Sequence, residues 1–390
     1  MNSIQNNNSF LNSPISPLGF GCYGLSGAYG SNLNEREVSY ILNCAYELGI
    51  LFYDTSNIYS NTEKILGKTF KDYRHNISIS SKVGVTKDNT FNLSKNHIIA
   101  SCERTLGNLQ TDYLDLYEVH FNDPDTPIHE TIDALEYLKK CGKIKYYGIG
   151  HLPLDISLEY FKLGNISTVL GEVHAANTSR YRELHALQDI YDFQIIAFSA
   201  AGRGIFSGNF NSNTEFSNKD IRNVDPLFKY SKLDSALAIA EKFKSIGAKH
   251  NKTPTQVAIS WVMAQPGIMT ALTGPCNLDH LKENIVPLSW KLDIDTINEL
   301  TTFIHAEEKK LLDLSFKEIC HILTEPLLLD FEQNYKNLIY VMENCIENKL
   351  LPSSKVIPKY LDLLKLKKEQ IYSLNELRTI QNSLYFMLQN

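Results

Sequence analysis

Hydrophobic positions along the chain follow a repeating pattern from residue 18 onward. Short runs of apolar and β-branched residues alternate with longer amphipathic stretches. A short, continuously apolar run predicts a strand that is buried on both faces, as in a parallel sheet. Eight such runs cover residues 18–22, 50–54, 77–82, 114–119, 145–149, 168–173, 194–198 and 268–272.

The stretches between these runs have helical periodicity. In residues 35–48 the apolar side chains fall on one face, and residues 131–141 stop at Gly142, which is typical of a helix C-terminus. Alternation of strand and helix indicates a parallel sheet. Eight units within residues 18–305 predict an α/β fold of the closed (β/α)8 type, a TIM barrel. An open, doubly wound sheet has the same alternation and is the alternative.

The alternation stops near residue 305. Residues 306–390 show helical periodicity alone, and the asparagine- and serine-rich residues 1–17 show none. We therefore predict a flexible lead-in over 1–17, a barrel over 18–305 and a helical C-terminal extension over 306–390. In the extension, the predicted helices are residues 311–323, 327–350, 357–370 and 374–389.

Composition excludes several classes of protein. The 390 residues are 43% hydrophobic and 21% charged, with a formal net charge of −6, which gives no electrostatic footprint for nucleic acid or an anionic membrane. No run approaches the roughly 18 apolar residues of a membrane span, and the N-terminus lacks an apolar signal core. The seven cysteines are scattered without a CxxC pair or zinc-ligand spacing, so we expect reduced thiols, no metal and a cytoplasmic location.

One motif resembles a dinucleotide-binding fingerprint. Residues 19–24 read GFGCYG, a literal GxGxxG. That fingerprint requires a strand before it and a helix directly after it. Here the following residues, LSGAYGSNLN, have the composition of a loop. We interpret the glycines as a strand running into a loop.

Polar side chains stand where three predicted strands end. Asp54 ends the second strand, Tyr59 follows it in the loop, Lys82 ends the third strand and His120 follows the fourth. Because barrel enzymes carry their chemistry at the carboxyl ends of the strands, we expect these four to converge at one mouth. Each alone is weak evidence, since a lone tyrosine or histidine usually has a structural role.

Together the four residues suit carbonyl reduction. Hydride addition to a carbonyl leaves negative charge on oxygen, and that oxygen needs a proton. Lys82 would lower the pKa of the Tyr59 phenol, and Asp54 would hold Lys82 charged and in place. Tyr59 would act as general acid or base, and His120 would orient the carbonyl. No side chain donates hydride, so a nicotinamide cofactor is implied.

Several ordered segments resemble the aldo-keto reductase superfamily. They include GILFYDTSNIYSNTEKILGK, ISISSKVG, RTLGNLQTDYLDLYEVHFNDPDTP, ALEYLKKCGKIKYYGIG, IIAFSAAGRGIF and TPTQVAISWVMAQPG. The resemblance runs from about Leu18 to His305. It implies the barrel fold and the catalytic tetrad Asp54, Tyr59, Lys82 and His120. The cofactor contacts that it implies are Gly21, Cys22, Asp54, Gly150, His151, Glu172, Phe198, Ser199, Gly202, Arg203, Gly204, Gly274, His280, Glu283 and Asn284.

Three positions depart from the family pattern. Gly150-His151 stands where Ser-Asn commonly holds the nicotinamide carboxamide, and Glu172 stands near a frequent glutamine. His280 takes a position often held by an arginine that meets the 2′-phosphate of NADPH, and imidazole suits phosphate less well than a guanidinium does. We therefore expect NADP(H) or NAD(H) without choosing between them.

The sequence predicts an NAD(P)-dependent oxidoreductase that acts on an aldehyde, ketone or sugar, or on the corresponding alcohol. The alternative is a cofactor-binding regulatory subunit with weak or no turnover. In that case residues 306–390 would dock a protein partner or mediate self-association.

Overall fold

The computed structural model describes residues 13–390 except 87, 89, 218–219, 224, 229, 325, 328–329, 370–372 and 390. Eight parallel strands close into a barrel in chain order, which confirms the predicted (β/α)8 fold and excludes the open sheet. The strands are β1 Leu18–Gly21, β2 Phe52–Asp54, β3 Ser78–Val83, β4 Leu114–Val119, β5 Ile144–Gly150, β6 Thr168–Glu172, β7 Gln194–Phe198 and β8 Ile268–Thr273.

Helices follow the strands, and their first turns explain where several of them begin. Asn34 and Glu37 form a capping box before the first helix, and Thr253 and Gln256 form another before the eighth. In the described part of the chain, none of the helices is both long and apolar enough to cross a lipid bilayer. The helices are α1 Glu35–Glu47, α2 Thr62–Phe70, α3 Lys95–Leu109, α4 Ile128–Lys140, α5 Leu154–Leu163, α6 Ser179–Leu187, α7 Tyr230–His250, α8 Pro254–Met263, α9 Leu278–Asn284, α10 Ile294–Thr324, α11 Phe331–Glu347, α12 Ser353–Lys368 and α13 Leu374–Gln389.

The glycine motif of residues 19–24 does not open an α-helix. It spans the end of β1 and the start of a short 3₁₀ turn, Cys22–Ser26, and the first α-helix begins only at Glu35. The strand-to-loop interpretation is therefore confirmed, and the chain has no dinucleotide fingerprint at this point.

Side chains inside the barrel form an apolar cluster. Its buried members come from β2, β4, β6, β7 and β8, and they are Phe52, Leu116, Leu170, Ile196, Met269 and Leu272. A second and much larger apolar core lies between the strands and the surrounding helices. Further along the same strands, toward their carboxyl ends, the interior residues become polar. The barrel is thus a rigid apolar support beneath a polar mouth.

A charged network closes the opposite end, near the amino ends of the strands. Asp115 of β4 accepts hydrogen bonds from Arg74 at 2.8 Å and from Lys145 at 2.7 Å. The Ser13 hydroxyl and the Ile79 backbone N–H also donate to this carboxylate, both at 3.0 Å. Asp115 therefore joins three strands and the N-terminal segment.

Residues 13–17 differ from the predicted flexible lead-in. Ser16 is buried and accepts a hydrogen bond from the Leu51 N–H, and the Ser78 hydroxyl donates to the Pro14 carbonyl. These contacts fix the segment on the barrel, a long-range effect that its local composition does not encode. Residues 1–12 of the predicted lead-in lie outside the described residues.

Residues His305–Asn390 form a second compact unit, separate from residues 1–304. Its apolar core includes Leu338, Met342, Leu363 and Leu384, all buried. Three of the four predicted helices have other bounds in the structure, and α11 is Phe331–Glu347 rather than the predicted residues 327–350. α10 runs without interruption from Ile294 to Thr324, and α12 begins at Ser353 and contains Pro358. Pro358 is the sixth residue of α12, and because it has no N–H it cannot donate to the Ser354 carbonyl oxygen four residues earlier.

We expect Asp115→Asn to lower the free energy of unfolding of the barrel by about 3 kcal/mol, because Arg74 and Lys145 lose their charge partner and Arg74 is largely buried. Urea unfolding followed by tryptophan fluorescence measures this, since Trp261 and Trp290 both belong to the barrel unit. The control is Glu103→Gln, which breaks an exposed pair with Lys143 and should cost under about 1 kcal/mol. Equal costs for the two variants would contradict the assigned role of Asp115.

Candidate active site

Four polar side chains meet at the carboxyl ends of β2, β3 and β4. Asp54 ends β2, Lys82 lies in β3, His120 follows β4, and Tyr59 lies in the loop between β2 and α2. All four are buried, and Lys82 has no exposed surface. The structure therefore brings together the four residues that the sequence predicts for one site.

The Lys82 ammonium has three hydrogen-bond acceptors. Its Nζ lies 2.6 and 2.7 Å from the two carboxylate oxygens of Asp54 and 2.8 Å from the Thr55 carbonyl oxygen. These contacts use all three ammonium protons. Burial opposes the charge on Lys82, but the Asp54 carboxylate outweighs it and raises the pKa of Lys82 above its usual range. The pair is thus held in its ionised form.

The Tyr59 phenol lies beside this pair. Lys82 Nζ is 5.3 Å from the centre of the Tyr59 ring. Burial raises the pKa of Tyr59, and the attraction of Lys82 for the phenolate only partly offsets that effect. Lys82 thus acts in the expected direction, but burial is the larger effect and the pKa of Tyr59 is raised overall. Asp54 adds to the rise, so Tyr59 keeps its proton at neutral pH.

The His120 ring also lies near Tyr59. The two ring centres are 6.2 Å apart, and His120 Nδ1 is 3.4 Å from the Ser56 hydroxyl oxygen. Burial, with a further contribution from Lys82, lowers the pKa of His120 to about 2. The imidazole is therefore neutral, and it can donate a hydrogen bond without giving up a proton.

Aromatic side chains continue the site away from the four polar residues. The His151 ring lies 4.8 Å from Phe121, 4.9 Å from Phe198 and 5.5 Å from His120, measured between ring centres. The ring centres of Tyr23 and Tyr59 are 5.1 Å apart. Of the predicted cofactor residues, His151 therefore adjoins the catalytic residue His120, and Phe198 adjoins His151.

Glu172 and Arg203 form an ion pair at the ends of β6 and β7. Arg203 Nη2 is 2.7 Å from Glu172 Oε1, and the same guanidinium also pairs with Asp225. Burial disfavours the Glu172 charge, but His174 and Arg203 outweigh burial and lower the pKa of Glu172 to about 2. The sequence analysis missed Asp225, because no spacing rule connects it to Arg203.

The loop after β7 makes a tight turn at this edge of the barrel. Ser199, Gly202, Arg203 and Gly204 all have positive φ angles, between 52° and 92°. Arg203 adopts this left-handed conformation despite its side chain, and its two carboxylate partners hold it there.

The remaining predicted contacts lie at the carboxyl ends of strands and on α9. Gly21 ends β1 and Cys22 follows it, and Gly274 packs so closely on Gly21 that a Cβ at position 274 would lie 2.7 Å from the Gly21 carbonyl oxygen. On α9, His280 is exposed, and the carboxylate of Glu283 accepts a hydrogen bond from the Thr253 hydroxyl at 2.6 Å. Asn284, Cys22 and Asp54 are buried, and so is Gly150, which ends β5.

A family model for the aldo/keto reductase family matches residues 17–305 of the chain. The chain belongs to this family. A protein of Glycine max named "Probable aldo-keto reductase 1" is 30% identical over 293 residues, which are 73% of this chain and 84% of that protein. Aldo-keto reductase yakc [NADP(+)] of Schizosaccharomyces pombe is 28% identical over 301 residues, which are 74% of this chain and 88% of that protein. The resemblance inferred from the sequence is thus confirmed.

Solved aldo-keto reductase structures share the barrel. The glycerol dehydrogenase AKR11B4 of Gluconobacter oxydans superimposes with a TM-score of 0.69 at 20% identity, covering 76% of this chain and 93% of that one. The holo form of aldo-keto reductase AKR11C1 of Bacillus halodurans has a TM-score of 0.63 at 25% identity, covering 75% and 92%. The first similarity concerns the fold alone.

We expect the neutral His120 ring to make the stability of this reductase depend on pH. Below about pH 6.5 the unfolded chain binds a proton at this histidine that the folded chain does not bind, so the free energy of unfolding falls as pH falls. The contribution approaches about 1.4 kcal/mol per pH unit. Urea unfolding of the chain and of His120→Gln between pH 7 and pH 4.5 should show a shallower dependence in the variant. His75→Gln at an exposed site is the control, and equal slopes for all three proteins would contradict the assignment.

Proposed function

We propose that this aldo-keto reductase transfers hydride between a nicotinamide cofactor and a carbonyl compound, with Tyr59 as the proton donor in reduction. The observation that carries the proposal is the buried Lys82 ammonium, saturated by Asp54 and Thr55 and 5.3 Å from the Tyr59 ring. A charged group so fully removed from water requires partners that are held in place. A Tyr–Lys–Asp arrangement of this kind suits proton transfer to a developing alkoxide.

The role of each site residue follows from its charge state. The neutral His120 ring donates a hydrogen bond to the carbonyl oxygen and orients it, while the protonated Tyr59 hydroxyl donates the proton. Lys82 then stabilises the phenolate that remains on Tyr59, and Asp54 keeps Lys82 in position. In the oxidative direction the same groups remove the proton from an alcohol.

The residues beside the tetrad fit a nicotinamide dinucleotide. Phe198 offers a half-buried aromatic face at the end of β7, and the Glu172 carboxylate is an ionised acceptor suited to an amide N–H. The glycine-containing loop of residues 199–205 and Arg203 supply donors for a pyrophosphate. When bound, the nicotinamide supplies or accepts the hydride. The name of the Schizosaccharomyces pombe relative includes NADP(+), which supports this cofactor class.

A second role is a partner-docking subunit on the same barrel. The compact unit of residues 305–390, with an apolar core of its own, supports it. Cofactor binding without turnover by the unchanged chain would favour this second role.

We expect Tyr59→Phe to lower kcat for carbonyl reduction by about 10²- to 10⁴-fold, because the proton donor is lost, while cofactor affinity stays within about twofold. Lys82→Met should act in the same direction, since the phenolate loses its counter-charge. Tyr23→Phe is the matched control, because the centre of the Tyr23 ring lies 5.1 Å from that of Tyr59 and Tyr23 is not one of the four tetrad residues. Steady-state kinetics with a panel of aldehydes and ketones, together with calorimetric cofactor titration, measure both quantities. Retained turnover in Tyr59→Phe would contradict the role of Tyr59.

Cofactor preference is tested at His280, which is exposed on α9. We expect the unchanged chain to bind NADPH and NADH with affinities that differ little, because imidazole is a weak partner for the 2′-phosphate. His280→Arg should tighten NADPH binding by about tenfold and leave NADH binding unchanged. Calorimetric titration at fixed salt measures both constants. A variant that tightens both cofactors equally would show that residue 280 does not meet the 2′-phosphate.

A further inference from the structure

Glu118 is an ionisable side chain inside the barrel that the mechanism above does not use. It lies in β4, two residues before His120, and it has no exposed surface. In the barrel wall its partner on β3 is Lys82, and its partner on β5 is Gly148. Because neighbouring strands are about 4.8 Å apart, Glu118 is the direct cross-strand neighbour of the catalytic lysine.

A glycine on the adjoining strand leaves room for this carboxyl group. A Cβ at Gly148 would lie 3.3 Å from Glu118 Oε1 and 2.2 Å from Thr168 Oγ1. Any larger residue at position 148 would therefore collide with the wall of the small space that holds the carboxyl group. The absence of a side chain at Gly148 thus leaves the space that the Glu118 carboxyl group occupies.

Among the described contacts, only hydroxyl groups donate hydrogen bonds to the Glu118 side chain. The Ser80 hydroxyl donates to Oε2 at 3.0 Å, and the Thr168 hydroxyl donates to Oε1 at 3.3 Å. All three protons of the Lys82 ammonium go instead to Asp54 and Thr55. A hydroxyl can also accept a hydrogen bond, so Ser80 and Thr168 can serve a protonated carboxyl group equally well.

Two charged groups face Glu118, and they oppose one another. Lys82 on β3 favours the carboxylate form and Asp54 on β2 disfavours it, while Gly148 of β5 and Thr168 of β6 do not ionise. Burial dominates and raises the pKa of Glu118 to about 8. At neutral pH the three residues Asp54, Lys82 and Glu118 therefore carry no net charge.

We propose that Glu118 is a positioning residue for the reaction, a protonated carboxyl group whose ionisation adds a negative charge beside Lys82 and slows proton donation by Tyr59. The reason is that Tyr59 becomes a phenolate as it donates, and a nearby like charge disfavours a phenolate. On ionisation the O–H bond of the Glu118 carboxyl group breaks and its proton goes to solvent, and no other bond forms or breaks. The kinetic part of this inference rests on the proposed function.

The proton on Glu118 is measured without any turnover by infrared difference spectroscopy. The carbonyl stretch of a protonated carboxyl group should be present at pH 7, should disappear with a midpoint near pH 8, and should be missing from Glu118→Gln. Lys82→Met should move the midpoint to higher pH, because the cation that favours the carboxylate is gone. Absence of the band at pH 7 overturns the proposal, as does a midpoint that Lys82→Met leaves unchanged.

The effect on catalysis is measured as the pH profile of kcat/KM for reduction. In the unchanged chain, kcat/KM should fall between pH 7 and pH 9 to a lower plateau, by about tenfold if the added charge costs about one pKa unit at Tyr59. Glu118→Gln should stay on the upper plateau throughout. The matched control is Glu63→Gln, which removes another buried carboxylate, one that accepts hydrogen bonds from Ser81, Thr105 and Asn108. Its profile should keep the fall.

The outcomes separate the inference from the proposed function. Turnover with the same fall in Glu118→Gln overturns the role of Glu118 and leaves the proposed function intact. A chain that binds cofactor but turns over no substrate overturns the proposed function, and the infrared titration then decides whether Glu118 carries the proton. If Glu118→Gln does not fold, Glu118→Asp replaces it, and the expected results are a displaced infrared band and a displaced fall in the profile.

Discussion

The Lys82 ammonium carries a full charge with no exposed surface, and much of the surrounding arrangement follows from that constraint. An ammonium removed from water requires three acceptors and a compensating negative charge. Asp54 supplies two oxygens and the charge, and Thr55 supplies the third oxygen. Because these acceptors lie at the end of β2, the register between β2 and β3 has to be fixed to within one residue.

The closed barrel provides that register. Every strand is hydrogen-bonded to two neighbours, so none can slip without breaking pairing on both sides. The apolar cluster inside the barrel packs beneath the polar side chains of the mouth. At the opposite end, Asp115 links β4 to Arg74 and Lys145. The polar mouth is therefore held by a support that is itself close-packed.

Charge compensation also distinguishes this site from a simple tyrosine–lysine pair. Burial and Asp54 raise the pKa of Tyr59 while Lys82 opposes them, so the phenol stays protonated. A similar balance recurs at Arg203, whose two carboxylate partners, Glu172 and Asp225, hold it in a left-handed backbone conformation. Lys82 and Arg203 are thus each held by carboxylates from other segments, and the neighbours of the neutral His120 ring include the aromatic rings of Phe121 and His151.

The sequence by itself determined the alternating α/β architecture, because eight short apolar runs separated by amphipathic stretches indicate a parallel sheet buried on both faces. Tertiary structure decided that this sheet closes into a barrel. The sequence also placed Asp54, Lys82 and His120 at strand ends, where the strand period and the barrel rule bring them together. Tertiary structure also decided the charge states, since the pKa values of Tyr59 and Glu118 depend on burial and on neighbours from other strands. It likewise decided the pairing of Asp225 with Arg203 and the anchoring of residues 13–17, because both are contacts between segments far apart along the chain. Local periodicity describes which face of a segment is buried, and only the folded chain specifies what that face meets.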